Sequence, residues 1–256
     1  MTGENYGAGD VESASSTPEQ FFRVPRLRDF LIALTGQGRG IRSRAPHHPA
    51  LSPSLIASIQ RGSLDYKYRG ISTLKCPFDL AIYSRLIWDL RPGSIIEFGS
   101  HRGGSALWLA DTVRAFGLPT QIYSFDLNSV TAFSDPQITF GWIDVGNPAT
   151  YPQASLLEAL PRPLLFIDDA SHIYEHVLAA LEFIHRHLRA GDYLIIEDGS
   201  LTYMAGFEAK YNGGPLRAMR EFLDRHPRNY DIDRDRCDTF GPNVTWNVDG
   251  YIKRIR

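Results

Sequence analysis

The run Ser94-Ile95-Ile96-Glu97-Phe98-Gly99-Ser100-His101-Arg102-Gly103-Gly104-Ser105-Ala106-Leu107-Trp108-Leu109-Ala110 reads as a buried strand, a glycine-bearing turn and a helix in direct succession. A strand that feeds a helix through such a turn belongs in a layered α/β structure. Gly99 and Gly103 permit backbone angles or close approaches that a Cβ would forbid, and Glu97 sets a carboxylate at the strand's end, where a ligand would sit. The spacing is not the dinucleotide pattern G-x-G-x-x-G, so the turn alone also suits a connection that binds nothing.

From Pro77 onward the same alternation recurs. The pattern predicts a helix to Leu90, a strand over Ser94–Phe98, a helix over Gly104–Phe116, and strands over Gln121–Phe125 and Ile138–Trp142. It continues with a helix near Pro152–Ala159, a strand over Pro163–Ile167, a helix over Tyr174–Leu188, a strand over Tyr193–Ile196 and a helix over Pro215–Arg225. Such alternation implies a mostly parallel sheet with helices on both faces and ligands beyond the carboxyl ends of the strands. Tyr230–Ile232 and Gly250–Ile255 predict two last strands able to pair antiparallel at an edge. Upstream, residues 1–20 read as a disordered tail. Residues 21–76 read as an accessory region with short helices over Val24–Thr35 and Ser52–Gln60, and 77–256 as the main domain.

The 256 residues, 43% of them hydrophobic, suffice for one substantial core. A formal net charge of −2 argues against nucleic acid or an anionic membrane as partner. The basic excess between Arg23 and Lys75 suits a solvated arm or a docking surface for a sister subunit, and the adjacent His47 and His48 are expected to be solvated. Two cysteines, no apolar stretch near the roughly 20 residues of a membrane span, and no signal-peptide pattern make a reducing cytoplasm the expected location.

Each central strand ends in acid: Glu97, Asp126, Asp144, Asp168-Asp169 and Glu197-Asp198. Parallel strands deliver these groups to one rim, where bare carboxylates repel one another unless hydroxyls, amines or a cation compensate. Asp126 is placed to accept from both hydroxyls of a ribose, or to cap a helix. Asp144, with Trp142 and Ile143, is placed to border an adenine, or to make a turn. The carboxylates of Asp168-Asp169 and Glu197-Asp198 suit a hard divalent ion, Mg²⁺ best. His172 is then placed to take a substrate proton, while Ser171 and Glu175 offer the alternative of a helix cap with His172 merely solvated.

These residues together resemble a class I S-adenosylmethionine-dependent methyltransferase of the cephalosporin hydroxylase family, with its macrolide-sugar and rhamnosyl O-methyltransferase relatives. The likeness runs from about Arg69 to Arg254. It is carried by Lys75, Pro77, Asp79, the 95–106 turn, Asp169-Ala170-Ser171-His172, Glu197-Asp198-Gly199, Gly214-Pro215 and Gly250-Tyr251-Ile252-Lys253-Arg254. It implies a Rossmann-like fold with a seven-stranded sheet and an N-terminal helical extension. It also implies that Glu97, Gly99, Ser100, Gly103, Ser105, Asp126, Asp144 and Asp168 serve the cofactor. By the same resemblance Asp169, Glu197 and Asp198 hold Mg²⁺, and His172 with Asp169 is catalytic. A homo-oligomer is implied as well. Hydroxylation is not expected, since no two-His-one-carboxylate set is visible.

The expected reaction is methyl transfer to a hydroxyl of a sugar, as part of a glycosylated natural product or glycolipid. A catechol acceptor, or a non-catalytic cofactor-binding helper, is the alternative. The missing G-x-G-x-x-G counts against a nucleotide-binding oxidoreductase. Residues 203–214 and 234–247 are candidate walls of the acceptor site or plain connections, and 61–75, with Tyr66, Lys67 and Tyr68, is a candidate to close over the cofactor or to lie between subunits, or a plain connection.

Overall fold

The computed structural model describes residues 51–130 and 132–256; the readings of a tail, of a helix over 24–35 and of solvated His47 and His48 lie outside these. The described residues fall within one compact unit, 45–256. It opens with α1 (Pro53–Asp65), where Ser52 caps the first turn by accepting from the Leu55 amide at 3.3 Å and Pro53 takes the first helical position. A two-residue hairpin follows, β1 (Lys67–Tyr68) and β2 (Ile71–Ser72). Its turn residues Arg69 and Gly70 both have positive φ, as a tight hairpin turn requires.

The remaining elements alternate. They are α2 (Pro77–Leu90), β3 (Ser94–Phe98), α3 (Gly104–Ala115), β4 (Gln121–Asp126), β5 (Ile138–Trp142), α4 (Ala154–Ala159), β6 (Leu164–Asp168), α5 (Tyr174–His185) and β7 (Tyr193–Ile196). Then come α6 (Phe207–Lys210), α7 (Gly214–Arg225), β8 (Tyr230–Ile232), α8 (Arg234–Cys237) and β9 (Tyr251–Arg254). The sheet has seven strands in the order β5-β4-β3-β6-β7-β9-β8. Five run parallel, and β9 lies antiparallel between β7 and β8. Strand order reverses beside β3, which is where open α/β sheets leave a crevice.

Strand periodicity divides the core. Ile95, Ile122, Leu165, Ile167 and Ile195 face one side, against Ile82, Leu86, Ala106 and Leu109 of α2 and α3. Ile96, Phe98, Phe166, Leu194 and Ile196 face the other, against Val177, Leu181, Met219 and Phe222 of α5 and α7. The central strands are therefore mainly apolar on both faces, and their acids fall at the carboxyl ends, Asp168 as the last residue of β6 and Glu97 one residue before the end of β3.

Residues 51–76, assigned from sequence to the accessory region, pack on this same unit. Leu51, Ile56 and Cys76 form a small cluster with Trp246. The hairpin packs along α3: Tyr68 Oη donates to Asp111 at 3.0 Å, and at the helix start a Cβ on Gly104 would lie 2.2 Å from the Ser72 carbonyl oxygen.

Candidate active site

Strand register brings the acidic termini level. Phe98 pairs with Phe125 on one side and Asp168 on the other, and Asp168 pairs with Ile196. The Asp169 amide donates to the Phe98 carbonyl at 2.8 Å and the Glu197 amide to the Asp168 carbonyl at 3.0 Å, so the ladder continues into the rim. A cavity of about 520 Å³ opens there, lined by Gly99, Ser105, Asp126, Asp144, Asp169, His172 and Asp198 among others.

The glycine turn forms its floor. Gly99 has φ 106°, and a Cβ there would stand 2.1 Å from the Asp169 carbonyl oxygen, so turn and β6 loop touch backbone to backbone. Gly103 caps α3 at φ 84°. Asp126 accepts from the His101 amide at 2.8 Å and the Asn128 amide at 2.9 Å, so it holds the turn as well as facing the cavity. Asp144 accepts from the Gly146 amide at 2.9 Å and lines the cavity with Ile143 and Val145. Trp142 does not join them: it is 55% exposed and is not part of the lining, because neighbouring residues of a strand point to opposite faces.

Glu97, Ser100 and Asp168 lie beneath the cavity, not in its wall. Ser124 Oγ donates to Glu97 Oε2 at 2.5 Å, which leaves Ser100 Oγ to donate to Ser124 Oγ at 2.6 Å. Glu97 Oε1 and Asp168 Oδ2 are buried without a hydrogen-bond partner. Burial raises both carboxyls, Asp168 to about 7, and Lys75 opposes the rise at Glu97.

At the β6 and β7 ends, Asp169, His172 and Asp198 each offer a ligand atom within 4.8 Å of the others, the one such group among the described residues. His172 Nε2 stands 3.3 Å from Asp198 Oδ2, and its ring meets Tyr211 edge-on at 6.0 Å. Both His172 and Asp198 hold positive φ, at 59° each, a local cost that turns both side chains inward. Burial lowers the His172 pKa, keeping the imidazole neutral, and raises Asp198 to about 6.

Glu197 is turned away from that group. Its Oε1 accepts from Lys75 Nζ and from Tyr83 Oη. Lys75 also donates to Asp169 Oδ2 at 2.5 Å, so one ammonium bridges two acids of the rim. Burial acts to lower the Lys75 pKa, but Asp169, Glu197 and Glu97 outweigh it and the ammonium is held charged. Burial and Asp169 push Glu197 up, against Lys75. The sequence singled out Lys75 only as part of a resemblance; no local pattern revealed that it enters the acidic cluster. Asp79 has a structural role, accepting from the Trp246 amide at 3.0 Å and Tyr251 Oη at 2.7 Å and tying α2 to the loop before β9 and to β9 itself.

Of the three segments 61–75, 203–214 and 234–247, Leu64, Thr73 and Leu74, then Phe207 and Tyr211, then Trp246 reach the cavity. From Asp144 after β5 to Asp198 after β7 the rim crosses five strands, about 19 Å at the usual strand spacing. That length accepts an extended nucleoside with an amino-acid arm. Two orphaned carboxylate oxygens under the floor suit a cofactor carrying positive charge, and the oxygen-rich group at Asp169 and Asp198 suits a hard divalent ion. S-adenosylmethionine and Mg²⁺ thus fit the residues present.

Comparison with known proteins gave concordant findings. The family described as rhamnosyl O-methyltransferase/CmcI matches residues 60–255. The rhamnosyl O-methyltransferase of Mycobacterium tuberculosis (strain ATCC 25618 / H37Rv) is 32% identical over 183 residues, covering 68% of this chain and 73% of the relative. That of Mycobacterium leprae (strain TN) is 30% identical over 195 residues, covering 73% and 82%. A solved structure of CmcI with Mg and SAM is similar at TM-score 0.59 and 27% identity, covering 75% of this chain and 78% of that one. Among the described residues no helix is long and apolar enough to cross a membrane.

Proposed function

The chain belongs to the rhamnosyl O-methyltransferase/CmcI family, and we propose that it transfers a methyl group from S-adenosylmethionine to a sugar hydroxyl in a Mg²⁺-dependent reaction. The observation that supports this reading is a cavity in which Asp126 and Asp144 share a wall with the Asp169–His172–Asp198 group. When bound, S-adenosylmethionine supplies an electrophilic methyl group, and Mg²⁺ supplies positive charge that makes a nearby hydroxyl more acidic.

The chain's own residues then have separate tasks. Asp169 and Asp198 would hold the ion, while Glu197, expected from sequence as the third carboxylate, is turned away from them and pairs with Lys75 and Tyr83. Gly99, Ser105, Asp126 and Asp144 line the cofactor's bed and Gly103 starts the helix behind it, while the carboxyls of Glu97 and Asp168 lie beneath, with Ser100 linked to Glu97 through the Ser124 hydroxyl. His172, kept neutral by burial, takes the hydroxyl proton at a ring nitrogen, and Asp198 at 3.3 Å is placed to stabilise the imidazolium formed. Leu64, Phe207, Tyr211 and Trp246 exclude water from the acceptor side. An aliphatic sugar hydroxyl needs both base and metal more than a phenol does, and the site offers both. The acceptor we favour is a sugar of a glycosylated natural product or glycolipid. The same proposal includes a homo-oligomer, for which exposed Trp88 and Leu55 provide apolar surface, and a cytoplasmic location, in keeping with the buried thiols Cys76 and Cys237.

The test is calorimetric titration of Mg²⁺ into protein saturated with S-adenosylhomocysteine, for wild type and Asp169→Asn. Saturable metal binding lost in the variant, with cofactor binding kept in both, supports the proposal. Cofactor binding with no metal response in the wild type, repeated in the presence of a rhamnoside, refutes it.

A further inference from the structure

The amides at the end of β7 point by turns to its two neighbours. The Ile196 amide donates to the Gly250 carbonyl at 2.9 Å on the β9 side, and the Glu197 amide to the Asp168 carbonyl at 3.0 Å on the β6 side. The next amide, that of Asp198, meets a side chain in place of a backbone carbonyl: Asn247 Oδ1 accepts from it at 3.1 Å. Asn247 thus extends the ladder by one residue, up to the acid that faces Asp169 and His172. Asp198 then leaves the sheet with φ 59°, a conformation that costs energy for a residue with a Cβ. Asn247 fixes the peptide before Asp198, and the Leu201 amide, donating to the Asp198 carbonyl at 3.0 Å, fixes the peptide after it. With both held, the carboxylate lines the cavity 3.3 Å from His172 Nε2.

The orientation of Asn247 has a single solution. A backbone amide can only donate, so Oδ1 faces Asp198 and Nδ2 lies on the far side, where it donates to Tyr251 Oη at 3.3 Å. That hydroxyl in turn donates to Asp79 at 2.7 Å, and Asp79 also accepts from Thr245 Oγ1 and from the Trp246 amide. Asn247 and Tyr251 are fully buried and Asp79 nearly so. Asn247 is not part of the cavity lining, so whatever it contributes to the site passes through Asp198.

We propose that Asn247 is a positioning residue for the cation site: its side-chain carbonyl holds Asp198 in the left-handed backbone that turns the carboxylate towards Asp169, and the Tyr251–Asp79 relay keeps that carbonyl aimed. This rests on the Mg²⁺ reading of the Asp169–His172–Asp198 group. A buried relay that starts in α2 and crosses β9 thereby sets how tightly the rim binds its ion.

The test is calorimetric titration of Mg²⁺ into the full chain saturated with S-adenosylhomocysteine, for wild type, Asn247→Ala, Asn247→Asp and Tyr251→Phe, with S-adenosylhomocysteine affinity measured separately without metal. Asn247→Ala is expected to bind Mg²⁺ about tenfold more weakly while its affinity for S-adenosylhomocysteine stays within about twofold of wild type. Asn247→Asp, which keeps an oxygen for the Asp198 amide, stays within about twofold for both ligands. Tyr251→Phe keeps Asn247 but releases its far end; it loses about fivefold in Mg²⁺ affinity and carries the test if the alanine variant does not fold. Mg²⁺ affinity unchanged in Asn247→Ala and Tyr251→Phe, S-adenosylhomocysteine affinity falling in step with it, or an aspartate variant as weak as the alanine one overturns the proposal. A wild type that binds S-adenosylhomocysteine but no Mg²⁺ overturns the metal reading itself, and this inference with it.

Discussion

Replacing Lys75 by methionine isolates the charge that bridges the two acids of the rim. Lys75 is 3% exposed and pairs with Asp169 and Glu197, both of which pack inside the domain. Methionine keeps most of the stem's volume, so the cavity contribution is small. What remains is the cost of leaving buried carboxylates without their cation, about 3–5 kcal/mol when one partner of a buried pair is removed. For a domain of this size each kcal/mol moves the melting midpoint by roughly 2–4 °C, so Lys75→Met is expected to melt about 6–20 °C lower in chelator at pH 8. The sign with pH follows from the acids. Their folded-state pKa values lie above the ordinary range and rise further without Lys75. Groups raised in this way lose stability as pH climbs through the folded pKa, so the deficit of the variant shrinks towards pH 5, where the acids accept protons. Mg²⁺ should restore more of the midpoint in the variant than in the wild type, since it replaces the missing charge. The assay is a thermal melt by circular dichroism at pH 5 and pH 8, with chelator and with Mg²⁺. A drop of less than about 2 °C at pH 8 in chelator would show that the bridging ammonium contributes nothing net, and the electrostatic reading of the rim would fail.

Further outcomes follow from the same geometry. Asp168→Asn removes a carboxyl raised to about 7 by burial; because that group costs stability as pH rises from about 4 to 7, the variant should gain on the wild type between pH 5 and pH 8 in thermal melts, and a constant difference would contradict the raised pKa. His172→Ala should keep Mg²⁺ binding and lose about 10²-fold or more in turnover; calorimetry showing lost metal binding would make His172 a ligand in place of a base. Gly99→Ala, which would set a Cβ 2.1 Å from the Asp169 carbonyl, should abolish S-adenosylhomocysteine binding in fluorescence titrations, and wild-type affinity would show that the floor of the cavity yields.

Much of this architecture was legible because it is periodic. Ser94–Phe98, Ile138–Trp142, Tyr193–Ile196 and Tyr230–Ile232 begin and end where short apolar runs meet polar residues. Asp126, Asp144, Asp169 and Asp198 lie on the rim for the same reason: a strand packed on both faces favours acids at or beyond its end. Other features depend on partners far along the chain. The Lys67–Ser72 hairpin has strands too short for any period to show. Lys75 meets Asp169 and Glu197 across 94 and 122 positions, and nothing beside it in sequence marks that destination. Glu97 was expected where a ligand would sit, yet one residue of pleat and the Ser124 hydroxyl keep it under the floor. Trp142, expected at the adenine, follows its strand's alternation to the outside.

The most direct measurement is methyl transfer itself. The purified protein is incubated with S-adenosylmethionine and an aryl rhamnoside, with Mg²⁺ or with chelator, and the products are read by mass spectrometry and by proton spectra that locate the new methoxy group. The expected result is one added methyl on a sugar oxygen with Mg²⁺, lost in chelator and in Asp169→Asn. Methylation that persists in chelator, or that falls on a catechol offered in parallel while the rhamnoside is left untouched, would contradict the metal-assisted sugar O-methyltransferase proposed for this site.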